Sequence, residues 1–129
     1  MGGSAADYEL RDPTSDELAV IAFALSGDQP GAERLRSQMP NLRVRANCDC
    51  GCPSISLHHP DGPQKTHSTT DAGPWPGHIS IVEDDNQIGG VILRVTATGF
   101  LCDLEVYAYE GTITTIPPVA NLRLESDQA

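Results

Sequence analysis

The stretch from Ile88 to Tyr109, IGGVILRVTATGFLCDLEVYAY, carries the reading of the fold. Apolar and polar residues alternate along both halves, the period of a strand with one buried face. Thr98-Gly99 interrupts the alternation where a two-residue turn would sit. Strands joined by that turn set Val95 against Cys102, Leu93 against Leu104 and Val91 against Val106, an unbroken apolar face. The other face sets Arg94 against Asp103, Ile92 against Glu105 and Gly90 against Tyr107. Opposite charges meet in one pair and an aromatic ring covers a glycine in another, so one register satisfies packing and charge together. Residues 88–109 are therefore expected to form an antiparallel hairpin, with strands over Ile88–Ala97 and Phe100–Tyr109.

Upstream, His78 to Glu83 reads as another strand. Ile79 and Ile81 share odd numbering with Val91 and Leu93, so the Asp84–Gln87 connection needs an odd-length loop or a bulge at Gly89-Gly90. Further back, Leu42, Val44 and Ala46 alternate with Arg43, Arg45 and Asn47, and Ile55 and Leu57 alternate with Ser54, Ser56 and His58. That pattern is a hairpin with Cys48-Asp49-Cys50-Gly51-Cys52 at its tip and Gly51-Cys52 as a type II′ turn. Between the hairpins, residues 59–77 are polar, proline-containing and aperiodic, a long His/Pro-rich loop. It ends with Trp75, expected as a lid over a sheet edge or core gap, with a partner anchor as the alternative. After Tyr109, Ile113, Ile116, Leu122 and Leu124 read as an apolar tail strapped to the domain.

Ahead of the strands the period is helical. Thr14 followed by Glu17 has the form of a capping box, and a helix over Ser15–Ser26 presents Leu18, Ile21, Ala22 and Leu25 on one stripe. Gly27 suits a left-handed helix end, Asp28 a second cap, Pro30 a first turn, and Pro40 a stop. The expected fold is α+β: two N-terminal helices packed on one face of a largely antiparallel sheet of about five strands. Residues 14–124 form the single domain, with 1–13 a flexible leader and 125–129 a flexible tail.

The chain of 129 residues has room for one core, and with aromatics at 5% that core must be aliphatic. Its net charge of −10 repels phosphates and anionic lipid, which argues against nucleic-acid and membrane partners. The longest apolar run, Leu18 to Leu25, is too short to span a bilayer, and the N-terminus lacks a basic region followed by an apolar one. A cytoplasmic protein is expected, and its oligomeric state is left open.

Three thiols within five residues, Cys48, Cys50 and Cys52, are the most unusual chemical feature. Zinc could take them with a fourth ligand from His58, His59, His67 or Cys102, although structural zinc hairpins present C-x2-C rather than C-x-C-x-C. A disulfide is a second reading, opposed by a reducing compartment. Reduced thiols serving as small hydrophobes beside a tight turn are the third and the favoured one. Cys102 alternates with Phe100, Leu104 and Val106 and reads as a buried thiol. Gly89-Gly90 lacks the Lys-Ser/Thr and the helix of a phosphate loop. Glu83, Asp84 and Asp85 read as a solvated turn.

The helices, the Cys-x-Cys-Gly-Cys-Pro-Ser turn (Cys48 to Ser54) and Gly99-Phe100-Leu101-x-x-Leu104-Glu105-Val106-Tyr107 resemble a group of small uncharacterised bacterial proteins, common in high-GC genomes. The resemblance spans Thr14 to Leu122 and excludes residues 59–77, which are longer here. It implies a fold and no activity. No spacing pairs an acid with a base, so the chain is expected not to be an enzyme. The functional expectation is a binding module for a basic protein partner, in the manner of an immunity protein, using Trp75, Asp103, Glu105, Tyr107 and Tyr109. A small zinc-binding domain on Cys48, Cys50 and Cys52 is the alternative.

Overall fold

The chain is described by a computed structural model over residues 10–46, 53–62 and 73–125. The Cys48/Cys50/Cys52 tip with its Gly51-Cys52 turn, His67, and most of the expected leader and tail lie outside the described residues.

Helix α1 (Ser15–Ala24) opens on the capping box expected from Thr14 and Glu17. The Glu17 N–H donates to Thr14 Oγ1 at 3.1 Å and the Thr14 N–H donates to Glu17 Oε1 at 2.9 Å. Its buried stripe is Glu17, Val20, Ile21 and Ala24, followed by Leu25 at the C-cap, whereas Ala22 is exposed. The buried side thus joins Ile21 and Leu25 of the expected stripe to Val20 and Ala24, and Glu17, buried beside them, is paired with Arg11 at 2.8 Å. The helix stops before Ser26, and Gly27 is not left-handed. Instead the Arg36 guanidinium donates to the carbonyls of Leu25 and Gly27 and satisfies that end. Helix α2 (Ala32–Ser37) starts from Gly31, whose φ of +91° turns the chain without a side-chain cap, so Asp28 does not cap it. Pro40 lies in the 3-10 turn Met39–Asn41 that leads out of α2.

The strands are β1 (Arg43–Ala46), β2 (Ile55–His58), β3 (Gly73–Pro74), β4 (His78–Glu83), β5 (Asn86–Val95), β6 (Leu101–Ala108) and β7 (Leu122–Glu125). They form one antiparallel sheet in the order β1-β2-β6-β5-β4-β7, with β3 added to β5 beyond the point where β4 leaves it. The α+β reading holds, and both described helices precede β1, but seven strands rather than about five occur among the described residues. The tail after Val119 pairs with β4, Ile79 against Leu124 and Ile81 against Leu122, and two residues of the expected loop pair with Val95 and Arg94.

β1 and β2 pair antiparallel with the expected even-to-odd matching, but Val44 lies opposite Leu57 and Ala46 opposite Ile55, two residues away from the register that a two-residue Gly51-Cys52 turn sets, in which Ala46 would face Leu57. In the central hairpin Leu93 faces Leu104, Arg94 faces Asp103 and Gly90 faces Tyr107, also as expected. The turn is different. It holds Ala97, Thr98 and Gly99, with Gly99 at φ +90°, closed by the Thr96 N–H donating to the Phe100 carbonyl at 2.8 Å. Val95 consequently pairs with Leu101, and Cys102 is the extra residue of a bulge that returns the register to its expected value. In the β4–β5 hairpin the bulge falls between the Ile81–Gly89 and Val82–Gln87 pairs rather than at Gly89-Gly90. Asp84 and Asp85 form its tight turn with φ of 52° and 68°.

One face of the sheet carries Val44, Leu57, Leu104, Val106, Val91, Leu93, Ile79 and Ile81, which share a single aliphatic core with Val20, Ile21, Leu25 and Leu35 of the helices. Among the described residues no helix is long and apolar enough to cross a membrane.

Candidate functional site

The opposite face of the sheet is polar, and the registers place its residues in rows. One row runs Arg45, Ser56, Asp103, Arg94; others set Glu105 beside Ile92, and Tyr107 beside Gly90, Ser80 and Arg123. Four of the five expected partner residues, Asp103, Glu105, Tyr107 and Tyr109, alternate along the end of the chain's sixth strand with this parity. They differ sharply in availability. Asp103 is 5% exposed; its Oδ2 accepts from the Cys102 thiol at 3.3 Å, and its Oδ1 has no partner. It is therefore part of the sheet's buried polar seam, not of the wet face on which the alternation placed it.

Glu105 is half-buried and takes the Arg94 guanidinium at 2.7 Å, one row away from the residue opposite Arg94. The Tyr107 ring covers the bare backbone of Gly90, and burial, followed by the neighbouring Tyr109 and Glu105, raises its pKa. Tyr109 stands beside it with ring centroids 6.0 Å apart and is 54% exposed. The Tyr109 N–H donates to the Ile88 carbonyl, so this ring, Glu110 and the exposed Glu83-Asp84-Asp85 turn all sit at the same end of the sheet.

Trp75 does not join them. Its N–H donates to the Leu93 carbonyl at 2.7 Å and its ring packs against the core and lies 3.9 Å from where a Cβ of Gly31 would stand. That is the lid position, on the helical side of the sheet.

Of the residues expected as metal ligands, Cys102 is buried against Asp103, His58 Nε2 lies 2.9 Å from Ser56 Oγ, and His59 packs against the Phe100 ring at 5.8 Å and accepts from the Asp61 N–H. They are not brought together, and no group of three His, Cys, Asp or Glu side chains suited to a metal occurs among the described residues. The cysteines of the tip lie outside them.

Sequence reasoning missed two arrangements. Gln38, buried at the end of α2, donates to the Gly99 carbonyl at 2.8 Å and accepts from the Leu101 N–H at 3.0 Å, pinning the β5–β6 turn. A groove of about 330 Å³ lined by Arg11, Glu17, Ser54, Thr115 and Ile116 opens at the start of α1. Its main polar groups already serve the fold, Arg11 with Glu17 and Ser54 with the backbone of Val106. A polar side chain reveals its face through parity, but nothing in the pattern says which distant backbone group it will meet.

Comparison of the chain with protein-family models, with curated proteins and with solved structures finds no match.

Proposed function

We propose that the protein is a non-catalytic binding module of the cytoplasm, docking a basic protein partner in the manner of an immunity protein. The supporting observation is the grouping of Tyr109 and Glu110 with Glu83, Asp84 and Asp85 at one end of the sheet, an exposed aromatic among carboxylates. An amphipathic ring of low rotamer entropy gives contact area at an interface, and clustered carboxylates on a chain of net charge −10 steer a cationic surface toward it. Tyr107 holds the base of that ring, and Arg94 fixes Glu105 beside it. Asp103 and Trp75 drop out of the docking set, the first because it is buried and the second because it lies on the other side of the sheet.

Affinity capture from the source cell's extract tests the reading. The intact protein is expected to retain a basic polypeptide at low salt and release it near 1 M salt, where the screening length falls to about 3 Å. A Tyr109→Ala/Glu110→Lys variant is expected to retain none of it. Identical captures by the two proteins would refute the reading.

A further inference from the structure

The last strand, β7, closes the sheet opposite β1. The direction of its peptide groups follows from β5. There the Trp75 N–H donates to Leu93, while the Thr96 N–H donates toward β6, so odd-numbered residues of β5 turn their peptide groups to the β3/β4 side. Carried through the Val91–Ile79 and Ser80–Arg123 pairs, this alternation turns the peptide groups of Leu122 and Leu124 to the outer side of β7. The Leu122 N–H donates to the Val119 carbonyl, and among the described residues the N–H and C=O of Leu124 are left on the edge.

Unpaired strand edges are ordinarily blocked. The β1 edge is bridged by Arg11, which exchanges backbone hydrogen bonds of 2.9 and 2.8 Å with Val44. The β3 edge is two residues long and contains Pro74. β7 has no proline and no bulge, and Leu124 is 42% exposed.

We infer that β7 pairs antiparallel with β7 of a second copy, across a two-fold axis through Leu124, joining the two sheets into one. Symmetric pairing that keeps the core faces together allows few registers. An axis at Arg123 would set like charges directly opposite, which destabilises a pair. An axis at Leu124 sets Leu124 against Leu124, with each copy's Arg123 opposite the other's Glu125. In that register the two Leu124 residues exchange N–H···O=C bonds, using the groups that the fold leaves on the edge, and their exposed side chains cover each other.

Sedimentation of the full chain from about 1 μM to about 1 mM reads the dissociation constant directly. A dimer is expected at the upper end. Arg123→Glu sets like charges opposite in both pairs and is expected to raise the dissociation constant about tenfold or more. Leu124→Pro, which removes an edge N–H that serves no bond among the described residues, is expected to do the same. The exchange Arg123→Glu/Glu125→Arg restores opposite charges and is expected to restore the dimer. A monomer at every concentration, or an association that the double exchange leaves as weak as Arg123→Glu alone, would overturn the inference. Because the surface lies away from Tyr109, failure here leaves the basic-partner reading standing, and the reverse.

Discussion

The Tyr107 ring lies against the backbone of Gly90 so closely that a Cβ at position 90 would stand 2.3 Å from Tyr107 Oη. Tyr107 is part of the base on which exposed Tyr109 rests, so Gly90 is tied to the proposed docking end through one ring. Gly90→Ala is expected to cost about 2 kcal/mol by overpacking. In a Tyr107→Ala background the same substitution meets chiefly the Ile79 carbonyl and should cost much less. Thermal or urea melts of the four proteins give the coupling, and equal costs in both backgrounds would separate the two residues.

Glu17 supplies a pH dependence. Burial pushes its carboxyl up, but hydrogen bonds from Arg11 and from the Thr14 N–H outweigh that, and the net pKa lies below the ordinary 4.5. A depressed folded value means stability that is present above the unfolded value and is lost as pH falls through the folded one. Glu17→Gln keeps the shape and removes the charge. It is expected to cost about 1–2 kcal/mol at pH 7 and progressively less below pH 4.5, where the wild-type carboxyl is itself neutralised. Parallel melts across that window that never converge would show that Glu17 is not the titrating group.

Gln38 makes a third case. Its amide joins the Gly99 carbonyl to the Leu101 N–H, two backbone groups of a turn that β6 depends on. Gln38→Met fills similar space with no donor or acceptor, and leaving those groups unpaired is expected to cost about 2 kcal/mol. An unchanged denaturation midpoint would mean that water replaces the amide.

The core hairpin was legible because its alternation, the Arg94–Asp103 pair and the Gly90–Tyr107 pair all select one register. The turn itself was not, since a two-residue turn and a three-residue turn followed by a one-residue bulge leave the same pattern from Asp103 onward. β3 carries no signal, because two residues including a proline have no period. The capping role of Glu17 was legible from its spacing to Thr14, but its ion pair was not, because its partner Arg11 stands in a stretch with no periodicity. At the candidate site, parity correctly placed Asp103, Glu105 and Tyr107 on one face. It could not say how much of each is covered, which separates buried Asp103 from exposed Tyr109.

Asp103 turns that difference into a test. A buried carboxylate with Oδ1 unpartnered forgoes the hydration it has in the unfolded chain, and the neighbouring Cys102 thiol returns only a weak donor to Oδ2. Arg94, directly opposite along the backbone, spends its guanidinium on Glu105 instead. A neutral amide is cheaper to bury than a charge, and Asn keeps an oxygen for the thiol, so Asp103→Asn is expected to stabilise the fold by about 1 kcal/mol. Because Asp103 is covered, the same substitution should leave capture of a basic partner unchanged, while Tyr109→Ala reduces it at unchanged stability. A loss of capture in Asp103→Asn, with the fold intact, would return Asp103 to the docking surface.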